Sequence, residues 1–163
     1  MKKKSTIAVA AVLAVLAVAV AVLSVLSGKD AEKKQLLRDN AQLLIVSGGE
    51  EYTLTMEEFL SLEQREIQAN YKKNGKEPEA RVFYGVPFAQ VLRAKHIDPA
   101  GAAKALFSAS DAYASLLPME DALDEDNCFI VADSGADGPF RMILARDQFS
   151  QRWCKLLTDV TLT

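Results

Sequence analysis

The chain contains few of the residues that metal sites and nucleophilic catalysts use. It has one histidine, His96, and two cysteines, Cys128 and Cys154, among 163 residues. The cysteines lack the C-x-x-C spacing that is typical of zinc and dithiol sites, and no G-x-S-x-G sequence marks a hydrolase nucleophile. His96 follows a predicted helix, where contact with the C-terminal carbonyls is its expected role. The sequence therefore argues against a zinc protein, a dithiol oxidoreductase and a serine hydrolase.

Positive charge is also scarce beyond the N-terminus. The whole chain has a net charge of −3, and its only charges before residue 28 are Lys2, Lys3 and Lys4, so residues 28–163 carry −6. Nucleic-acid binding requires a basic face for the phosphates. We therefore expect no nucleic-acid partner, and we expect anionic lipid to repel the acidic part of the chain.

The longest apolar stretch runs from Ile7 to Leu26 and is interrupted only by Ser24. Twenty helical residues span about 30 Å, the thickness of a bilayer hydrocarbon core. The lysines in front of the stretch favour a cytoplasmic N-terminus and an extracytoplasmic remainder. An uncleaved anchor is the first interpretation. A cleaved signal peptide is the alternative, although the stretch is longer than usual and Val25-Leu26-Ser27 is a poor cleavage site.

These features divide the chain into three predicted parts. Residues 1–27 are a signal anchor, residues 28–42 are a polar stalk with charges of both signs, and residues 43–163 are a single domain. A domain of about 120 residues is large enough for one hydrophobic core. The predicted location is the cell membrane, with a single span, a cytoplasmic N-terminus and an extracytoplasmic domain.

Short strands alternate with short helices along the domain. Alternating or continuous apolar residues predict strands at residues 43–46, 52–54, 67–71, 103–109, 113–117, 128–132, 140–145 and 156–162. Three short helices show apolar residues at i, i+3 and i+4, namely Met56, Phe59 and Leu60, then Phe88, Val91 and Leu92, then Met119, Ala122 and Leu123. Because strands dominate and helices are short, the pattern predicts an α+β domain.

Local signals at three positions support these boundaries. Gly48-Gly49 lies between two predicted strands and indicates a tight turn. Thr55 and Glu58 have the spacing of a capping box at the start of the first helix. Residues 81–93 are predicted to be the central unit of the domain, with a short strand, a turn at Tyr84-Gly85 and a helix that has Pro87 in its first position.

Five segments resemble one known family when they are taken in order. They are Phe83-Tyr84-Gly85-Val86-Pro87-Phe88-Ala89-Gln90-Val91-Leu92, the turn sequence Ser108-Ala109-Ser110-Asp111-Ala112-Tyr113, Leu116-Leu117-Pro118-Met119-Glu120-Asp121-Ala122-Leu123, Gly138-Pro139-Phe140-Arg141-Met142 and Ser150-Gln151-Arg152-Trp153. Together they resemble the oxidoreductase molybdopterin-binding domain, which has the sulfite-oxidase-like fold. The resemblance covers residues 43–163 and implies an α+β domain with a mixed sheet.

The chain differs from that family at the position of the metal-binding cysteine. Catalytic members hold molybdenum through a cysteine in the loop after the strand matched here by residues 67–71. The corresponding loop, Asn70-Tyr71-Lys72-Lys73-Asn74-Gly75, contains no cysteine, and a soft thiolate is the ligand that such a metal requires. The dimerisation and haem domains of full-length enzymes are also missing from the match. We therefore expect no bound cofactor, with a molybdopterin-type cofactor as the alternative.

The resemblance also implies where a ligand pocket would lie. Arg152 stands where the family commonly has lysine, and Arg141 and Arg152 are the candidate contacts for a ligand phosphate. The predicted pocket residues are Tyr71, Lys72, Asn74, Asp111, Tyr113, Arg141, Ser150 and Arg152. Trp153 is a further candidate, although an aromatic residue at the end of a strand more often belongs to the core.

The two cysteines allow two interpretations. Cys128 and Cys154 both lie on or beside apolar strands, so they can be two buried thiols. An oxidising compartment also permits a disulfide, whose loop of roughly 25 residues would contribute about 3 kcal/mol.

Three functions remain in consideration at this point. The first is a non-catalytic ligand-binding or interaction module on the outer face of the membrane. The second is an oxidoreductase or electron-transfer component that still binds a molybdopterin-type cofactor and works with a membrane or redox partner protein. The third is a structural envelope protein for which the resemblance is misleading.

Overall fold

The computed structural model describes residues 40–72, 77–132 and 138–163. These residues form nine strands and three short helices. In chain order they are β1 (Gln42–Ser47), β2 (Glu50–Thr55), α1 (Met56–Ser61), β3 (Arg65–Tyr71), β4 (Glu79–Pro87), α2 (Phe88–Ala94), β5 (Lys104–Ala109), β6 (Ala114–Pro118), α3 (Met119–Ala122), β7 (Cys128–Ala132), β8 (Phe140–Leu144) and β9 (Leu157–Leu162).

The strands form two sheets. One sheet has five strands in the order β2-β1-β9-β5-β6, and it is mixed because β1 and β9 are parallel while the other neighbours are antiparallel. The other sheet has four antiparallel strands in the order β3-β4-β7-β8. The predicted α+β class and mixed sheet are confirmed. The division into two sheets did not follow from the sequence pattern.

Two helices connect the sheets through aromatic contacts. Helix α1 follows a strand of the five-stranded sheet, and its Phe59 packs edge-on against Phe140 of β8, with ring centroids 5.4 Å apart. Helix α2 follows a strand of the four-stranded sheet, and its Phe88 packs against Phe107 of β5 at 5.1 Å. All four rings are fully buried. Because each helix leaves one sheet and packs on the other, the buried apolar side chains form one continuous core.

The predicted local signals in the first third of the domain are confirmed. Gly48 and Gly49 have φ angles of 59° and 85° and form the turn between β1 and β2, a conformation that glycine adopts without strain. The Thr55 hydroxyl accepts a hydrogen bond from the Glu58 backbone N–H, and the Glu58 carboxylate accepts one from the Thr55 backbone N–H. Leu60, the i+4 residue of the apolar pattern in this helix, is half exposed.

The predicted turn at Tyr84-Gly85 is wrong. Strand β4 continues through both residues and pairs first with β3 and then, from Gly85 to Pro87, with β7. A Cβ atom on Gly85 would lie 2.6 Å from the carbonyl oxygen of Ile130 and 2.9 Å from a methyl group of Val131. The glycine therefore permits close strand approach instead of a turn. Pro87 is the N-cap residue of α2, one position earlier than predicted.

The predicted anchor and most of the stalk lie outside the described residues. The same is true of Asn74, one of the eight predicted pocket residues. Within residues 40–72, 77–132 and 138–163, no helix has both the length and the apolar composition needed to cross a bilayer.

The close contact at Gly85 predicts a large effect of a single methyl group. Gly85→Ala should lower the free energy of unfolding by about 2–3 kcal/mol, because the backbone of β7 would have to move away. Chemical denaturation monitored by circular dichroism measures this change. Val82→Ala, on the same strand but half exposed, is the matched control and should change the free energy by less than about 1 kcal/mol. Equal effects of the two substitutions would contradict the proposed role of Gly85.

The hydrogen bonds that Glu58 accepts predict an acid-dependent loss of stability. A hydrogen bond from Lys95, followed by the Thr55 backbone N–H, lowers the pKa of Glu58 below its ordinary value of 4.5. A lowered pKa in the folded state stabilises the protein above the unfolded value, and this contribution disappears as the pH falls through the folded value. Glu58→Gln should therefore reduce the fall in stability between about pH 5 and pH 3.

Glu57→Gln is the matched control for this measurement. It removes a charge from the same helix without changing the capping box, whose hydrogen bonds involve only Thr55 and Glu58. Stability is measured by denaturation across the acid range. The role of Glu58 would be refuted if both substitutions changed the pH dependence equally.

Candidate functional site

Three separate parts of the chain meet at the end of β3. The backbone N–H of Lys72 donates a hydrogen bond to the Ser150 hydroxyl at 3.1 Å, which joins the end of β3 to the segment between β8 and β9. The backbone N–H of Ser110 donates to the Leu156 carbonyl at 3.0 Å, which joins the turn after β5 to the same segment. Side chains that are far apart in sequence are therefore brought to one place.

The segment between β8 and β9 is irregular but firmly held. Met142 and Cys154 exchange two backbone hydrogen bonds, of 2.8 and 3.1 Å, which continue the four-stranded sheet by one bridge. In an extended segment, successive side chains point to opposite sides. Cys154 points inward, where its Sγ donates to the Phe107 carbonyl at 3.5 Å. The neighbouring residues Trp153 and Lys155 both line a cleft.

This cleft has a volume of about 230 Å³ and is lined by Asp111, Tyr113, Gln151, Trp153 and Lys155. Its wall contains a carboxylate, an ammonium group, an amide and two aromatic rings. Aromatic surface with a few polar groups of defined position is typical of a small-molecule site. We therefore take this cleft as the candidate functional site.

The turn after β5 positions Asp111 and Tyr113. The Asp111 carboxylate accepts a hydrogen bond from the Tyr113 backbone N–H at 3.2 Å, and the Tyr113 hydroxyl donates to the Gln151 carbonyl at 2.7 Å. Ala112, between them, has a φ of 67°, which is uncommon for a residue other than glycine. Burial raises the pKa of Tyr113 above its ordinary value of 10.0. The phenol therefore stays protonated at neutral pH.

Lys155 is positioned by Tyr71 at the end of β3. Its Nζ donates to the Tyr71 hydroxyl at 3.2 Å and lies 4.9 Å from the centroid of the same ring. The Arg81 guanidinium lies 4.4 Å from that centroid, and the Tyr71 and Trp153 rings are 6.0 Å apart. Such cation–aromatic contacts are favourable by about 0.5–2 kcal/mol each. They place positive charge beside the aromatic wall of the cleft.

The predicted pocket residues fall into three groups. Asp111 and Tyr113 line the cleft, Tyr71 accepts a hydrogen bond from Lys155 of the lining, and Lys72 and Ser150 hydrogen-bond to each other. Arg141 and Arg152 do not line the cleft, and Asn74 is outside the described residues. Gln151 and Lys155 were not among the pocket residues predicted from the sequence. The alternation of Gln151, Trp153 and Lys155 along one side of an extended segment was the signal that could have identified them.

The two arginines predicted to bind a phosphate have other contacts. The Arg152 guanidinium makes two hydrogen bonds to Asp147, of 2.9 and 2.5 Å, and lies 3.6 Å from an Asp121 oxygen. Its hydrogen bond with Asp147 raises the pKa of Arg152. Arg141 is buried on β8, with its guanidinium carbon 5.9 Å from the centroid of the Phe83 ring.

Both cysteines are buried free thiols, and no disulfide joins them. The interpretation of Cys128 and Cys154 as two buried thiols is therefore correct. Burial, followed by the carboxylates of Asp111 and Asp159, raises the pKa of Cys154 to about 12. Burial, followed by Asp121 and Asp124, also raises the pKa of Cys128 well above its usual range. Neither residue supplies a thiolate at neutral pH.

Comparison with known proteins supports the fold. No protein-family model matches the chain, and no curated protein matches it. Among solved structures, the chain is similar to the sulfane dehydrogenase SoxCD from Paracoccus pantotrophus, with a TM-score of 0.63 and 14% sequence identity. The match covers 77% of this chain and 38% of the SoxCD chain. At this identity the similarity concerns the fold alone, and it agrees with the α+β fold that the resemblance of the five sequence segments implies.

The described residues do not fit the molybdenum centre that the family resemblance implies. No cysteine occurs in or near the loop after β3, and the buried Cys154 thiol is protonated and directed at Phe107. Among the described residues, no three His, Cys, Asp or Glu side chains come together as a metal site.

The burial of both thiols predicts that they are unreactive in the folded protein. A chromogenic disulfide reagent should modify neither cysteine until denaturant unfolds the chain, and then it should modify two thiols per chain, because only the thiolate reacts. Gln151→Cys, which places a thiol in the cleft, is the positive control and should react without denaturant. Rapid reaction of a native thiol that is lost in Cys154→Ser would show that Cys154 faces the cleft.

Proposed function

We propose that this chain is a membrane-anchored, extracytoplasmic ligand-binding module that operates without a molybdenum centre. Its binding site is the cleft lined by Asp111, Tyr113, Gln151, Trp153 and Lys155. The observation that carries this proposal is the position and chemistry of the cleft. It lies beside the end of β3, where the family resemblance implies a metal-binding loop, and its lining contains no sulfur ligand.

The cleft is suited to binding more than to catalysis. The Asp111 carboxylate accepts a hydrogen bond from the Tyr113 backbone N–H in the same turn. The Lys155 ammonium group donates a hydrogen bond to the Tyr71 hydroxyl. The Tyr113 hydroxyl donates to a backbone carbonyl. No side chain of the lining forms the nucleophile–base pair that covalent catalysis requires. The fixed polar groups instead support recognition of a ligand.

The membrane location is proposed from the sequence. The apolar stretch at residues 7–26, with Lys2, Lys3 and Lys4 before it, favours an anchor with a cytoplasmic N-terminus. The charge of −6 on residues 28–163 argues that the domain itself is not held on anionic lipid. A membrane or redox partner protein is the proposed partner class for an anchored domain of this kind.

A second candidate function is an oxidoreductase or electron-transfer component that binds a molybdopterin-type cofactor. The similarity to a sulfane dehydrogenase is the observation that favours it. In this case Arg152 would exchange its hydrogen bonds with Asp147 for a phosphate of the cofactor, since guanidinium groups bind carboxylate and phosphate in the same bidentate geometry.

Metal and pterin analysis of the full chain distinguishes the two functions. The protein is purified from a host that synthesises molybdopterin, and molybdenum and pterin are measured per chain. The proposed module should contain neither in stoichiometric amount, because no thiolate is available to the metal. Molybdenum at one atom per chain would refute the proposal.

Two arginine variants complete this experiment. Pterin that co-purifies without metal and is lost in Arg152→Ala would support the second candidate. Arg146→Ala is the matched control, because Arg146 is an exposed arginine that pairs with Asp124 and does not line the cleft. Loss of pterin from both variants would indicate a general effect of removing positive charge.

A further inference from the structure

We infer that the outer edge of β6 pairs with the same edge of a second copy of this chain. The two β6 strands run antiparallel about Leu116 and join the two five-stranded sheets into one continuous sheet. This inference does not depend on the ligand-binding function proposed above.

Strand β6 has backbone groups that face away from its sheet. It is the last strand of the five-stranded sheet, and in the described part of the chain no strand pairs with its other side. The Tyr113 carbonyl accepts a hydrogen bond from the Ala109 N–H at 2.9 Å, so the odd-numbered residues of this segment bond to β5. Because bonding alternates along an antiparallel strand, the N–H and C=O groups of Ala114 and Leu116 face the outer edge.

The same edge exposes apolar surface. The side chains of β6 alternate between buried and exposed, and Leu116 at its centre is 53% exposed. Leu116 lies opposite Leu106 of β5, and Leu106 is partly buried. Outward backbone groups and exposed apolar surface therefore coincide at Leu116, and this combination favours pairing with a further strand.

The other three edges of the two described sheets are protected against such pairing. Strand β2 begins with two glutamates, and β3 begins with Arg65 and Glu66. Strand β8 is followed on its outer side by the bridge to Cys154. Charges and covered edges are the devices that prevent sheets from associating. Residues 112–119, by contrast, contain no charged side chain.

A second copy of the chain is the partner that fits this edge. Residues 28–163 carry a charge of −6, so two copies repel each other over most of their surface, and an uncharged edge is where their approach costs least. No charge on β6 selects a partner of opposite sign. An antiparallel pair of identical strands is self-complementary about a twofold axis.

The twofold axis passes between the two Leu116 residues. The N–H and C=O groups of Leu116 bond to the same groups of Leu116 in the second copy, and the Ala114 N–H bonds to the Pro118 C=O of the second copy. The two Leu116 side chains then cover each other, and Leu106 of each copy lies beside them. Pro118 has no N–H and is the N-cap residue of α3, so the pairing ends there.

Disulfide trapping of the full chain tests this arrangement. Opposite Cα atoms of a hydrogen-bonded antiparallel pair are about 5.5 Å apart, which a disulfide can span. Leu116→Cys should therefore form a covalent dimer when copper–phenanthroline is added to a lysate of the expressing cells. A non-reducing gel detects the dimer, and the native thiols are buried and should not contribute.

Two other exposed positions are the matched controls. Val82 is 51% exposed and Leu60 is 50% exposed, and neither lies on β6. Val82→Cys and Leu60→Cys should each form at least about tenfold less dimer at the same chain concentration, because collision alone brings those thiols together.

Charge at the edge should prevent the association. Leu116→Lys places two like charges opposite each other, and it should shift the full chain to the monomer in analytical ultracentrifugation. Leu60→Lys adds the same charge elsewhere and should leave the dimer unchanged. Ala114→Lys is a second variant of the same edge if Leu116→Lys disturbs the fold, which circular dichroism would reveal.

Three results would overturn the inference. The first is a yield of dimer from Leu116→Cys no greater than that of the two controls. The second is a full chain that sediments as a monomer without any substitution. The third is a disulfide from Leu116→Cys only to a different protein, because the edge would then bind another partner. Each of these results leaves the proposed metal-free cleft as it is.

Discussion

The pair of backbone hydrogen bonds between Met142 and Cys154 determines the arrangement of the candidate site. It attaches an irregular segment to β8 of the four-stranded sheet, just before the chain enters β9 of the five-stranded sheet. Once Cys154 is fixed with its thiol inward, Trp153 and Lys155 lie along the cleft. The bridge therefore fixes the segment that leads from one sheet to the other. It also keeps the Cys154 thiol buried and Trp153 and Lys155 in the wall of the cleft.

The chemistry of the cleft follows from what this bridge brings together. A thiol that burial keeps protonated is a poor metal ligand, whereas a lysine held against the Tyr71 hydroxyl is a well-placed cation. Asp111 supplies the opposite charge from the turn after β5. The fold is similar to that of a sulfane dehydrogenase at 14% identity, and function depends on the site more than on the fold. The ligand-binding function proposed above rests on this composition.

Local sequence patterns identified most strands because their signals are themselves local. The alternation in β3 and the capping box of Thr55 and Glu58 depend on residues within a few positions of each other, and both are confirmed. Gly85 shows the limit of such reasoning. A glycine allows either a turn or the close approach of another strand, and only the position of Ile130 on β7 distinguishes the two. The neighbouring strand is more than forty residues away in sequence.

The sequence by itself determined the α+β class, the absence of a cysteine after β3 and the presence of the residues from which a pocket could form. Only the tertiary structure decided which of those residues meet. It directs Arg152 towards Asp121, and it brings Lys155, which no sequence pattern had singled out, to Tyr71. The physical reason is that hydrogen bonds and charge pairs are formed across space, between segments whose separation along the chain carries no information about their contact.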